Sequence, residues 1–485
     1  NNAIMAQTLG YGTDFIDFIG YHAYVGGAGS VEAVQVTEWD EPQAVIGSYL
    51  HRYAYPDFFA EHQQRQQTLE TGHSHRAGNV SCLQLRGEYL FAAEGDKGMV
   101  VYDVASIANK GVSQRIITAP ASSLGQDTAI KSANATCLSL QTTQPIAPER
   151  NQGDLMRRVN QEKPFHPLYH YALITDAVEG LILTNIDTLA DGEPRNNFLE
   201  RALTWNEGGV LAGARDITVG GHFAYIVVDA GVAIIDLDKP LQPRHVTTVP
   251  MRGARALVQQ FRYLFVTDAE GLKVIDITDP AEAAVVPGNT IAIKDAHKVF
   301  VARTYAYVAA GAEGIYIVDV TRPTEMQLYQ QFTDQLQDAR DIVVATTNAS
   351  LMAYVADGAG GLKIIQLTSP ASQPRFYGFS PEPKPAIISQ FPTTRPALAL
   401  SRGLERDRAV DETGGQVAVF SRVGSGPLSE SDMRGLYLND AGKPWFVTDK
   451  PETDATSKDS TKDAGKGLFG IKKDPVAMAA GMEKK

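Results

Sequence analysis

The stretch TDAEGLKVIDITDP, residues 267–280, is written again along the chain with variations. It returns as VVDAGVAIIDLDKP at 227–240, VAAGAEGIYIVDVTRP at 308–323 and VADGAGGLKIIQLTSP at 355–370. Each copy holds a strand-like run, a polar turn ending in glycine and a second strand-like run, and the clearest copies stop at a proline. With that glycine as marker, copies fall at Gly29, Gly98, Gly180, Gly231, Gly271, Gly314 and Gly361, the last four intervals being 51, 40, 43 and 47 residues. A period of about 40–50 residues with strand chemistry predicts a propeller rather than a helical solenoid. A looser eighth copy, AVDETGGQVAVFSR, follows at 409–422.

Each unit reads as four short strands. In the fifth, Ala256–Val258 is the expected inner strand, Tyr263–Thr267 the second and Leu272–Ile277 the third, and AAVVP (283–287) begins the fourth. Val, Ile, Tyr and Phe fill the second and third runs, as they fill strands generally. Gly231, Gly271, Gly314 and Gly361 stand after hairpin turns, where positive φ comes easily only to glycine. Asp279-Pro280 ends pairing because proline has no N–H for the ladder. One such unit leaves a sheet face bare, and radial stacking of copies covers it.

GLKVIDITDP, GIYIVDVTRP and GLKIIQLTSP resemble the LVIVD-repeat family of bacterial and archaeal β-propeller proteins. The resemblance spans about residues 13–422 and is closest from 210 to 370. It implies a propeller, usually exported or held at the cell surface; the copies counted above read as an all-β propeller of seven or eight four-stranded antiparallel blades. Some members of that family accompany multihaem cytochromes. It carries no catalytic motif to transfer.

Departures from the repeat mark candidate interaction elements. Two insertions interrupt the propeller expected over residues 1–447, one at about 43–76 and one at about 106–164; long interruptions of a regular array are usually functional. DFFAEHQQRQQ in the first predicts a short helix near Phe58–Gln67. The segment 448–485 begins with a linker-like run of Lys, Asp, Ser, Thr and Gly. It ends in LFGIKKDPVAMAA, and it reads as an extended C-terminal arm.

Two groups of side chains are candidates for chemistry. Arg215, Arg255, His297 and Arg340 recur in GARDI, GARAL, DAHKV and DARDI at the start of inner strands. There they would form a cationic ring at one channel mouth, able to hold a carboxylate or another anion. The competing reading pairs each with a local carboxylate, such as Asp216 or Asp341, to lock neighbouring blades. In the first insertion His73 and His75 would supply two ligands to a metal or lie beside a haem, although nothing fixes a third ligand. The alternative is solvated loop histidines, and no cofactor is assigned.

Several classes are excluded or disfavoured. A net charge of −12 argues against nucleic-acid binding. No apolar run of 18 residues exists to span a membrane as a helix. Asp176, Asp229, Asp268 and Asp357 lack the spacing of a calcium loop and read as turn residues. The nucleophile-elbow and P-loop signatures are missing, so no catalytic residue is assigned. Asn79, Asn134 and Asn348 head glycosylation-type triplets that read as chance matches in a bacterial-type chain. Cys82 and Cys137 either form one bridge in an oxidising compartment or remain two buried thiols. The chain opens NNAIMAQTLG, so a processed or truncated product is expected and the lack of a leader carries no weight. The expected role is a non-catalytic scaffold binding other protein subunits in an exported assembly. The alternatives are a structural partner of a multihaem cytochrome and a channel-mouth enzyme acting on an anionic substrate.

Overall fold

The computed structural model describes residues 22–27, 30–35, 43–46, 78–87, 89–103, 128–142, 165–191, 198–346, 350–374, 380–393, 395–402, 422–423 and 426–443. Among them the chain is a β-propeller of four-stranded antiparallel units. Blade C comprises Ala135–Ser139, Tyr171–Asp176, Gly180–Asn185 and Glu200–Trp205. Blade D comprises Asp216–Gly220, Phe223–Val228, Gly231–Asp236 and Arg244–Pro250. Blade E comprises Ala256–Gln260, Tyr263–Thr267, Gly271–Asp276 and a fourth strand split into Ala284–Val285 and Ile291–Ala292. Blade F comprises Val299–Ala302, Tyr305–Ala309, Ile315–Asp319 and Gln327–Phe332. Blade G comprises Asp341–Thr346, Leu351–Ala356, Leu362–Thr368 and Ala386–Phe391.

The remaining large sheet corrects the expected count. Among the described residues there are six large sheets, not seven or eight, because this one is eight strands wide. Ala397–Arg402 pairs antiparallel with His22–Gly27, which leads outward to Ser30–Gln35 and Gln43–Ile46; we call this set A. Its other edge runs parallel to Cys82–Arg86 through Ser401–Leu83 and Arg402–Gln84. That strand opens set B, completed by Tyr89–Ala93, Met99–Asp103 and Ala129–Ile130. A late strand thus closes the ring onto the earliest ones and fuses two sets.

Both insertion boundaries also change. Gln43–Ile46 is the outer strand of set A, so the first interruption begins after it. The second contains the inner strand of blade C, Ala135–Ser139, whose Thr136 and Ser139 gave it a polar look. Phe58–Gln67, the eighth copy up to Ser421 and the arm 448–485 lie outside the described residues. One helix was not anticipated: α1 (Glu430–Tyr437) follows the ribbon of Arg422–Val423 and Gly426–Pro427.

The core lies between the sheets. Phe223–Val228 and Leu351–Ala356 are buried at every position, so these second strands present apolar side chains to neighbours on both faces. Tyr263, Phe265 and Val274 of blade E pack in one cluster with Val299, Val308 and Val318 of blade F. Each such fully buried side chain contributes about 1.5–3 kcal/mol. Fourth strands face solvent, and Leu328 of blade F is 50% exposed. Third-to-fourth pairings slip register at Leu183/Thr184, Ile234/Ile235, Ile317/Val318 and Ile364/Ile365. Such bulges increase twist and blunt an edge against further pairing.

Gly271 shows why the turn needs glycine twice over. Its φ is 139°, and a Cβ there would lie 2.0 Å from the Ile291 carbonyl oxygen on the fourth strand. Gly231 repeats this, with φ of 138° and a Cβ position 2.1 Å from the Val249 oxygen. Backbone freedom was readable from the sequence; the close approach of the outer strand was not.

Candidate functional site: the charged channel mouth

In a four-stranded meander, the turn joining the second and third strands lies at the same end as the entry to the inner strand. Arg215, Arg255, His297 and Arg340 therefore share one end of the ring with the acidic turns. Neighbouring blades are stitched together there, by their inner strands or by the hairpins beside them. Thr136 Oγ1 donates to the Ala214 carbonyl at 2.8 Å, joining C to D. Asp216 Oδ2 accepts from Leu257 N at 3.0 Å, D to E. Thr267 Oγ1 donates to the His297 carbonyl at 2.6 Å, E to F. Gly311 and Ala339 exchange backbone bonds, F to G, and Asp341 Oδ2 accepts from Leu400 N at 2.9 Å, G to A. Cys82 and Cys137 are bridged, tying set B to blade C.

The cations at this end face carboxylates. Arg215 pairs with Asp229, on the hairpin turn of its own blade. Arg255 Nη1 reaches Asp295 Oδ1 at 2.8 Å and also donates to the Ala296 carbonyl at 2.8 Å. Asp295 Oδ2 lies 3.1 Å from His297 Nε2, which is itself 3.3 Å from Arg340 Nη1. Arg340 Nε is 2.8 Å from Asp338 Oδ1. A line of ionisable side chains thus runs Arg255, Asp295, His297, Arg340, Asp338 across blades E, F and G, while Arg215 stands apart from it. The partners suggested by adjacency, Asp216 and Asp341, instead accept from the inner strands of the following sheets.

Burial pushes the His297 imidazole below its usual value; Asp295 opposes this, and Arg340 and Arg255 reinforce it. Burial alone would raise the Asp295 carboxyl, but Arg255 and His297 hold it below the usual range. His297 is therefore neutral at neutral pH. One ring nitrogen cannot donate to Asp295 and accept from Arg340 at once, so its tautomer selects between them.

Deeper in, Lys298 Nζ meets Asp216 Oδ1 at 2.9 Å. Asp216 belongs to blade D and Lys298 enters blade F, so this pair reaches past blade E. The Asp216 side chain is 0% exposed and that of Lys298 16%, against 37% and 43% for Arg255 and Asp295. The rim pair contributes under about 1 kcal/mol. The deep pair is different, because removal of either member strands a buried charge. The signal for it was present: after the recurring cation stand Asp216, Ala256, Lys298 and Asp341, two acids and one base in equivalent places.

The acidic turn residues divide by partner. Asp268 accepts from its own turn, at Glu270 and Gly271, and Asp176 accepts both from its own turn, at Val178 and Glu179, and from Asn134 N at the entry to its blade. Asp357 accepts from Gln337 and Asp338 at the entry to its blade. Glu94, at the same position in set B, is fully buried; Oε2 accepts from Gly78 N at 2.8 Å and Oε1 from the Tyr102 hydroxyl. Burial raises its carboxyl to about 7, against those two bonds and the attraction of Lys97.

His73 and His75 lie outside the described residues. Among the described residues no cluster of three or more His, Cys, Asp or Glu is arranged to hold a metal ion. None of the described helices is long and apolar enough to cross a membrane.

Comparison with known proteins matches this geometry to repeats. The LVIVD repeat is detected at residues 77–112, 212–249, 262–286, 293–334 and 338–378. These segments span the second and third strands of set B and of blades D to G. No curated protein matches the chain. Among solved structures, the β-propeller domain of Cps50 (Swd1) from Myceliophteria thermophila is 16% identical with a TM-score of 0.38, covering 60% of this chain and 84% of its own. A provisionally named 6-phosphogluconolactonase from Bacteroides fragilis is 9% identical with a TM-score of 0.48, covering 79% and 98%. The designed protein Ika8 is 11% identical with a TM-score of 0.35, covering 62% and 76%. Likeness at this level carries no argument about activity.

Proposed function

We propose that this LVIVD-repeat propeller is a non-catalytic scaffold that holds other protein subunits in an exported assembly. The observation that carries the reading is the pairing at the channel mouth. Arg215, Arg255 and Arg340 each face a carboxylate, and the deep Lys298–Asp216 pair joins blades D and F. Cations used in this way stiffen a ring and have little capacity left for capturing an anionic substrate. The Cys82–Cys137 bridge supports export, since such bonds persist in oxidising compartments.

The test is affinity capture of the protein from its native source, followed by mass spectrometry of the particle. The scaffold reading expects stoichiometric protein subunits, and haem-bearing chains among them would specify a cytochrome assembly. A protein recovered alone, whose melting temperature rises with small carboxylates or phosphates in proportion to intact Arg255 and Arg340, would overturn it for a channel-mouth enzyme.

A further inference from the structure

Two buried donors lie where set B meets blade C. Arg86 is the last residue of the inner strand Cys82–Arg86, at the end of the ring opposite the charged mouth. Near the mouth Cys82 and Cys137 are bridged, which marks the two faces that meet in this seam. Side chains alternate along a strand. Gln84 and Arg86 therefore follow Cys82 on the set B face, and Ser139 and Gln141 follow Cys137 on the blade C face. Gln84 keeps the two inner strands in step. Its Nε2 donates to the Leu140 carbonyl at 3.1 Å, and its Oε1 accepts from Leu140 N at 2.9 Å.

Arg86 is 4% exposed, a guanidinium taken almost wholly out of water. Its Nε donates to Thr142 Oγ1 at 3.2 Å, and among the described residues that is its one hydrogen bond. Burial pushes the guanidinium down to about 10, and the charge of Asp187 opposes this. Asp187 is itself engaged by His170, whose Nδ1 lies 2.8 and 2.7 Å from its two carboxylate oxygens. Gln141 is buried as well, and its Nε2 has no partner among the described residues. An unpaired buried donor costs free energy, and an unpaired buried cation costs more. Two such donors on facing sides of one seam need an acceptor between them. His170 and Asp187 stay partly exposed beside them, so the rim is open to solvent.

We propose that the seam between set B and blade C binds a small monocarboxylate, held between the Arg86 guanidinium and the Gln141 amide. The Nη groups of an arginine present parallel N–H donors that match the two oxygens of one carboxylate. Gln141 Nε2 supplies a further donor from the opposite face. Asp187 opposes a second negative charge at the rim, which favours a monoanion. The site shares no residue with the charged mouth, so it goes beyond the scaffold reading and does not depend on it.

The probe is acetate, its methyl resonance followed by saturation-transfer NMR in the presence of the full chain at constant ionic strength. Binding should saturate. Arg86→Met keeps an apolar chain of similar length in the seam and removes a lone buried charge, so it should fold. It should weaken acetate binding at least about tenfold, and Gln141→Leu about threefold. Acetate that binds Arg86→Met as well as it binds the unmodified protein is an adventitious ligand and overturns the proposal. The absence of a saturable signal overturns it too, leaving water as the acceptor for both donors. Binding that is lost with Arg255→Met puts the carboxylate at the channel mouth and overturns the seam site. If Arg86→Met does not fold, Gln141→Leu decides, and unchanged binding there overturns the proposal.

Discussion

The two ends of the ring are held by different forces. At the channel mouth the contacts are directional: hydrogen bonds from one inner strand to the next, ion pairs along the rim and a buried pair reaching past blade E. At the other end, α1 rests on blades D and E by apolar packing, with the Arg434–Asp279 ion pair on its rim. The difference teaches where the fold tolerates change. Directional contacts between buried partners fail sharply when one member is removed, whereas apolar docking of a short helix loosens by degrees.

The sharpest test is Lys298→Met. It leaves Asp216 charged and buried, and should destabilise the protein by about 3–5 kcal/mol, read from denaturant unfolding. Adding Asp216→Asn should restore most of that, since the amide oxygen can still accept from Leu257. A single variant as stable as the parent would show that the deep pair is not stranded by its loss. Next is Gly271→Val, which imposes positive φ on a β-branched residue and drives its Cβ into the Ile291 carbonyl. A loss of about 2–4 kcal/mol is expected, and an unchanged melting temperature would refute the assigned turn.

Glu94 tests the same end through pH. Its folded carboxyl is raised to about 7 by burial, above the ordinary value of 4.5. Stability from the protonated form is therefore complete below about 4.5 and is lost as pH rises through about 7. The full swing is on the order of 3 kcal/mol. Melting temperatures at pH 5 and pH 8 should differ in that direction, and Glu94→Gln should flatten the difference. The smallest effect belongs to the opposite end. Arg434→Ala removes an exposed ion pair and should cost less than about 1 kcal/mol, with the melting midpoint hardly moved. A large loss there would erase the contrast between the ends.

Much of the ring was legible because its units repeat a physical requirement. Tyr263–Thr267 and the run after Gly271 announced themselves by β-branched and aromatic side chains bounded by Gly and Pro, and the strands lie there. What stayed hidden depends on contacts far apart in the chain. Arg255 meets Asp295, which stands one blade further on, so adjacency pointed to the wrong carboxylates. Ala135–Ser139 lacked an apolar run because part of its surface bonds the next inner strand through Thr136. Cys82 and Cys137 lie 55 residues apart, and only the meeting of set B with blade C pairs them. Helix α1 had a readable start in Ser429 and Asp432, but Gly435 and its brevity masked it. Its order comes from the surface beneath it.

The strand Ala397–Arg402 has a consequence in time. Val25 pairs with Leu400, some 375 residues later in the chain. At a synthesis rate of about 5–20 residues per second, His22–Gly27 waits roughly 20–75 s for the strand that completes its sheet. Throughout that interval the nascent ring is an open arc with two unpaired inner edges, each a template for a stray strand. How long the arc stays open, more than how stable the finished ring becomes, then governs how much newly made protein escapes aggregation.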